Sequence, residues 1–361
     1  MNIAFYIDEM NYRGVANSTY QFALQNQKIL KNKSIIFYNK KNYRNQKEVI
    51  NKFKNKFKVF GISHFSELEN YKNKILIDYL YVQKSGNKDI WTSNKIKTLI
   101  HSVYPQKLSQ IHGDKYVYIS EWLSKNFSNN KVPFVPLITK VEKNKNDLKK
   151  KLRINKDKLV FGCYGGESSF DLQFVKNAIM DIVENRQDIL FIFLNIKKFS
   201  NHKQIKFLKG TLNENYKKKF INSCDAMIYG RSLGESFGLS CGEFTLVNKR
   251  IISYKFNRHR AHIFNISSDH LIEYESYNSF KKIILNFKKK SLKIDNKYKD
   301  YSENKVMVLF QNIFLKKEQN IKLSFWDYLK NFQGFIKIGY FYLRHKIYVH
   351  YFNFFENKFL R

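Results

Sequence analysis

Cysteine, proline and long uncharged runs are all scarce in this 361-residue chain. The three cysteines, Cys163, Cys224 and Cys241, form no C-x-x-C pair. A disulfide framework and a cysteine-rich zinc site are thereby disfavoured, and a reducing compartment is the default. The longest stretch without Asp, Glu, Lys or Arg is the fourteen residues from Gly14 to Gln27. A spanning helix needs about 18 or more, so a multi-pass membrane protein is excluded. The N-terminus has no basic segment ahead of its apolar run and reads as a first strand, not a secretory signal. There is no G-x-x-x-x-G-K-[ST] loop, which removes P-loop hydrolysis, and no G-x-S-x-G elbow.

Arginine is also rare, and that absence disciplines the charge. The formal net charge is +35, from 65 basic against 30 acidic residues. Such an excess is the usual footprint of a nucleic-acid or membrane partner. Yet 55 of the 65 are Lys and only 10 are Arg. Phosphate and base recognition favours the planar Arg fork. High Asn, Ile, Phe and Tyr with only three Pro fits AT-rich coding, so most of the lysine is read as a solvating surface. Nucleic acid is not the expected partner.

What is present is alternation. In the first third, short apolar runs predict strands at 2–7, 34–38, 57–62, 75–82, 97–103 and 116–119, with a helix from about Asn17 to Leu30. A second series predicts strands at 159–164, 189–195, 205–208, 226–229, 250–254 and 271–274. Helices are expected near 172–184, 214–223, 238–247, 277–287 and 302–314. Strand and helix in alternation indicate βαβ units and parallel sheets. Between the series, residues 140–158 carry nine basic and three acidic residues and read as a linker entering a short helix. The expected architecture is α/β: a Rossmann-like domain over 1–139, the linker 140–158, a second Rossmann-like domain over 159–316 facing the first across a cleft, and a helical tail over 317–361.

The chemistry concentrates in Cys224-Asp-Ala-Met-Ile-Tyr-Gly-Arg-Ser-Leu-Gly-Glu-Ser-Phe-Gly-Leu-Ser-Cys-Gly-Glu243, read as strand, loop and helix. The helix start leaves backbone N–H groups near Phe237, Gly238 and Leu239 without acceptors, a setting for an anion. Glu235 stands on the loop and Glu243 eight positions later, inside the helix. The two glycines of Gly165-Gly166, after strand 159–164, let backbone N–H groups face a phosphate. Gly14 follows the first strand, with Asn17 or Ser18 expected to cap the helix after it. Arg258-His259-Arg260 and His262 read as a basic loop rather than a metal cluster.

The pattern of Glu, seven residues, then Glu in the GESFGL setting resembles the retaining nucleotide-sugar glycosyltransferases of the GT-B fold, family 4 or group 1. The resemblance covers about residues 1–315. It implies a hexosyltransferase-type enzyme using a nucleotide-sugar donor and a glycan or lipid-linked hydroxyl acceptor, in surface-glycan or lipopolysaccharide-type synthesis. It implies Glu235 near the donor sugar, the Phe237–Leu239 amides on diphosphate or sugar, and Glu243 on the ribose. Gly14, Gly165 and Gly166 would face the donor. The family's basic residues after the Gly-Gly loop are missing here, since no Arg or Lys occurs from Val160 to Val175; Arg231 is the expected substitute. A first-domain histidine near the sugar would be His112, or else His101. No Asp-x-Asp pair occurs, so neither a metal nor another cofactor is expected. The competing expectations are a non-catalytic carbohydrate-binding relative and a nucleic-acid binder.

The tail differs from the rest. Fourteen aromatic residues lie between Phe325 and Arg361. Phe325, Tyr328, Phe332 and Phe335 recur at helical spacing, and Lys330, Lys337, Arg344 and Lys358 fall on a seven-residue grid. An aromatic face with a basic stripe suits an anionic headgroup region; packing onto the body would bury the same aromatics. Gly334 and Gly339 should weaken the helix. The expected localisation is cytoplasmic, peripheral at a membrane's inner face.

Overall fold

The computed structural model describes residues 1–140, 145–290, 296–316 and 318–359, with the side chains of 353–359 excepted. Residues 141–144 of the linker and the Lys358 side chain therefore lie outside the described part. The chain divides into two compact units. One comprises Met1–Ile138 with Asp300–Phe335; the other comprises Thr139–Lys299 and the chain from Ile336 onward. Expected with the second domain, residues 300–316 cluster with the first unit.

The first unit runs β1 (Asn2–Ile7), α1 (Gly14–Lys28), β2 (Lys33–Asn39), α2 (Lys47–Lys54), β3 (Lys58–Ile62), α3 (Lys72–Ile75), β4 (Tyr79–Lys84), β5 (Lys97–Ser102), β6 (Lys115–Tyr118) and α4 (Glu121–Ser128). Its six strands are all parallel, in the order β3-β2-β1-β4-β5-β6. The second runs β7 (Leu159–Tyr164), α5 (Gln173–Asn185), β8 (Ile189–Leu194), β9 (Ile205–Leu208), α6 (Glu214–Ser223), β10 (Ala226–Tyr229), β11 (Gly234–Glu235), α7 (Leu239–Thr245), β12 (Arg250–Tyr254), β13 (His259–Arg260), α8 (Ala261–Asn265), β14 (Leu271–Tyr274) and α9 (Tyr277–Leu285). Its main sheet is ordered β14-β12-β10-β7-β8-β9. Counted from its own first strand, that is the same doubly wound topology as the first sheet. The expected pair of Rossmann-like units is what the chain forms.

Burial explains the strands. A parallel sheet is covered on both faces, so its strands read as continuous apolar runs. All six residues of β8, Ile-Leu-Phe-Ile-Phe-Leu, are buried, as are five of six in β1. The cysteines are buried free thiols, all in the second unit. Burial pushes the thiols of Cys163, Cys224 and Cys241 well above their ordinary values.

Some boundaries differ from expectation for local reasons. α1 begins at Gly14, with Arg13 and not Asn17 or Ser18 at its cap. The Ser18 hydroxyl is engaged within the first unit, 2.8 Å from the Gly14 carbonyl and 2.7 Å from Gln83. The strand expected from 75 starts at Tyr79, because Leu76 takes a left-handed φ of 48° and ends α3. The short helix expected near Leu148 is a turn, closed by Leu152 N–H to Leu148 and ended at Arg153, φ 53°.

After the second unit's last helix come α10 (Glu303–Phe310), continued by a π-helical turn at Gln311–Lys316, and α11 (Phe325–Phe359). Phe310 stacks on Phe22 at 5.5 Å, and Phe314 meets Tyr81 and His101 edge-on. α11 opens with Asp327 accepting from Ser324 N–H at 2.8 Å and from its hydroxyl at 2.7 Å. Asn331 then donates to the carbonyls of Gln106 and Phe127, at 2.9 and 2.7 Å. Gly334 is a packing residue: a Cβ there would stand 2.6 Å from the Asn126 carbonyl. The feature that looked like a helix weakness lets α11 press against α4. Further along, Tyr348 packs on Phe174 at 4.9 Å and its hydroxyl accepts from Tyr277 N–H at 2.7 Å.

Asn331→Leu leaves two carbonyls without their donor, and a lost buried hydrogen-bond partner costs roughly 1–3 kcal/mol. Urea unfolding should show a lowered midpoint for this variant; an unchanged midpoint would contradict the anchoring role.

Candidate active site

In a doubly wound sheet the strand order reverses once, and loops leave the carboxyl edge in opposite directions there. In the second unit that point lies between β7 and β10, which pair directly through Phe161–Ala226 and Gly162–Met227. The residues leaving it are Gly165-Gly166, after Tyr164 ends β7, and Gly230-Arg231 after β10. Most of the expected site residues therefore emerge at one place.

Two carboxylates form two clusters. Glu235 is half-buried; its Oε1 accepts from the Tyr229 hydroxyl at 2.8 Å and from Arg231 at 3.0 Å. Tyr229 is held from below by the buried ring of His262, 4.8 Å away. Short parallel pairing of Gly234-Glu235 with His259-Arg260 fixes the loop. Gly234 and Gly238 have φ of 72° and 89°, and a Cβ on Gly238 would stand 2.6 Å from that of His262. These two glycines are required by conformation and by close approach.

Glu243 is buried on α7. One carboxylate oxygen accepts from Lys217 at 2.9 Å, and the other from the Tyr164 hydroxyl. Lys217, on α6, also reaches Glu214 at 2.7 Å. Burial alone would lower the Lys217 ammonium, but the two carboxylates outweigh it and hold it raised. Burial raises Glu243, with Lys217 opposing. Sequence reading missed Lys217, Tyr164 and Tyr229. Lys217 supplies a cation close to the Gly-Gly loop, where none was found between Val160 and Val175. It sits some fifty residues away on another helix, so only its place among 55 lysines could have marked it.

The remaining candidates separate by unit. Leu239 begins α7, Gly238 is its N-cap, and Phe237 is buried with its carbonyl accepting from Tyr298 at 2.7 Å. Gly166 faces open space, whereas Gly165 backs onto Ser169. Gly14 opens α1 in the first unit, with open space at its Cα. His101 is fully buried there, its ring nitrogens 2.6 Å from the Tyr81 hydroxyl and 2.8 Å from the Val135 carbonyl. That makes it a residue of the first unit's core. His112 is nearly buried, with Nδ1 2.6 Å from the Gln110 carbonyl and Nε2 2.9 Å from the buried Lys84, which also pairs with Asp89. His259 and His262 are buried as well, so the segment expected as a basic loop is instead the wall behind Glu235.

No family model matches the sequence, and no curated protein does. Solved structures do match in fold. Anabaena HepE, solved with UDP and glucose, aligns with TM-score 0.62 at 12% identity, over 87% of this chain and 98% of that one. A glycosyltransferase from Rickettsia africae aligns with TM-score 0.58 at 13% identity, over 93% and 98%. A putative UDP-N-acetylglucosamine 2-epimerase from Listeria monocytogenes aligns with TM-score 0.56 at 12% identity, over 90% and 99%.

Burial pushes the His262 imidazole down to about 3, from about 6.5 in an unfolded chain. Between these values the unfolded chain binds a proton that the native state refuses, so stability falls as pH drops below about 6.5. At pH 5 the loss is ~2 kcal/mol for this one histidine. Denaturation at pH 7.5 and pH 5 should show the drop in wild type and a smaller one in His262→Gln. Equal slopes would mean His262 is protonated in the fold.

Proposed function

We propose that the protein transfers a glycosyl group from a nucleoside-diphosphate sugar to a hydroxyl acceptor, with retention at the anomeric carbon and without a metal. The observation that carries this reading is the pair of carboxylates at the β7–β10 switch point: Glu235 with Arg231 and Tyr229, and Glu243 with Lys217 and Tyr164. It is supported by the fold likeness to a glycosyltransferase from Rickettsia africae and to HepE, which has been solved with UDP and glucose.

The roles follow from charge. As the bond from C1 to the phosphate oxygen breaks, its electron pair goes to the leaving diphosphate and C1 takes on oxocarbenium character. Arg231 meets the growing negative charge with a fixed cation. The first backbone N–H groups of α7 add donors without intrahelical acceptors. Glu235, oriented by Tyr229, lies beside the sugar. A carboxylate has about four acceptor sites, so Glu243 keeps capacity for ribose hydroxyls while Lys217 and Tyr164 hold it in place. The acceptor hydroxyl bonds to C1 and gives up its proton to the departing phosphate.

A second reading, epimerisation of a free UDP-sugar, is favoured by the neighbours described as UDP-N-acetylglucosamine 2-epimerases, the Listeria protein among them. Product analysis separates them: transfer needs an acceptor, epimerisation does not.

Titration against UDP-, GDP- and ADP-sugars should identify one donor that binds. With it, Glu235→Gln should lower turnover by about 10²-fold, the scale for lost transition-state electrostatics, with little change in nucleotide affinity. Glu243→Ala and Lys217→Met should weaken nucleotide binding by roughly 1–3 kcal/mol. Wild-type rates and affinities in all three variants would refute the site.

Activity should persist in excess EDTA. Loss in EDTA that manganese or magnesium restores would overturn the metal-free mechanism.

A further inference from the structure

Plotted at about 100° per residue, α11 has two faces of different character. Asp327, Asn331, Gly334 and Ile338 fall within an arc of about 60° and are all buried. Nearly opposite, Phe325, Phe332, Ile336, Tyr340, Leu343 and Ile347 fall within about 80°, and all are exposed. Phe332 is 62% and Leu343 58% exposed, although both are large apolar side chains. The expectation had two alternatives for these aromatics, packing or membrane contact. Of Phe325, Tyr328, Phe332 and Phe335, the first three are exposed and Phe335 packs on Phe127 at 5.4 Å.

The exposed stripe covers 23 residues from Phe325 to Ile347, or about 33 Å of helix. Contiguous apolar surface on that scale marks an interaction site. Its charge setting selects the partner. Lys330, Lys337 and Arg344 follow one edge of the stripe, and Lys346 lies on the other. The sequence has no acidic residue between Asp327 and Glu356, and Asp327 is itself buried. A second copy of the chain would bring the same positive edges together, whereas an anionic surface neutralises them. Among the described residues, no helix is long and apolar enough to cross a membrane.

We propose that the exposed face of α11 docks the protein on an anionic lipid surface. The helix lies in the headgroup plane with Phe332, Ile336, Tyr340 and Leu343 directed into the acyl boundary, while Lys337 and Lys346 meet lipid phosphates. Binding draws on both terms, buried apolar area and charge, so it falls with added salt. This surface is separate from the carboxylate site and does not rest on the reaction assigned there.

The test is flotation of the full chain with vesicles of phosphatidylcholine, alone or mixed with phosphatidylglycerol. The wild-type chain should float with the mixed vesicles at low salt, weakly with neutral ones, and less in high salt. A combined Phe332→Ser, Ile336→Ser and Leu343→Ser variant should lose about tenfold or more in partitioning, given the apolar area removed. Its thermal midpoint should stay near wild type, because these side chains are exposed. Lys337→Glu with Lys346→Glu should lose binding to mixed vesicles only. The proposal is overturned if wild type ignores phosphatidylglycerol at low salt, or if the serine variant floats as well as wild type. It is also overturned if wild type sediments as a dimer without lipid and the serine variant as a monomer, since the stripe is then a self-association surface.

Discussion

Everything in the second unit depends on parallel strand pairing. Parallel neighbours cannot be joined by tight turns, so each connection crosses over the sheet, usually as a helix. The sheet is then covered on both sides, which demands the unbroken apolar character of β8. The carboxyl edge is left as the place where loops diverge. Between β7 and β10 the loops diverge, and the chain leaving these strands carries Tyr164, Arg231 and Glu235. The chain has built this geometry twice with the same strand order, and the Glu235 and Glu243 clusters belong to the second unit.

The two glutamates do not share one environment. Glu235 is reachable from solvent and balanced by a single guanidinium and a phenol. Glu243 is closed in and shares its cation with Glu214. A carboxylate that must respond to changing charge needs access and a partner that can turn elsewhere. One that only has to stay in position is better buried between fixed donors. The two environments, one open and one closed, stand eight residues apart on one loop and one short helix.

The sequence conveyed the strands because their apolar runs are long and bounded. Eight of the twelve main-sheet strands start at the expected residue and three more within one residue of it, while β4 starts late because the left-handed Leu76 intervenes. Glycine gave away the Glu235 loop, since Gly234 and Gly238 occupy conformations that other residues resist. Lys217 was illegible: a partner set by tertiary approach leaves no local spacing to read. His101 shows the opposite limit. A histidine at the end of a strand looks functional in one dimension, but here both ring nitrogens face groups inside the core. Gly334 misled because propensity counts its conformational cost and cannot see the α4 backbone that approaches it. α2 and α4 were overlooked as eight-residue helices, too short to show a repeat.

The three buried thiols carry a consequence of another kind. Only the thiolate reacts readily, and burial keeps Cys163, Cys224 and Cys241 protonated at neutral pH. Cys163 lies on β7, Cys224 just ahead of β10 and Cys241 on α7, and Gly162 is shaped to the Cys224 sulfur, 2.3 Å from where its Cβ would be. Alkylation must therefore wait for that unit to open. The rate at which the folded chain takes up a thiol reagent becomes a clock for the opening of the second unit alone, wound by residues that serve no chemistry of their own.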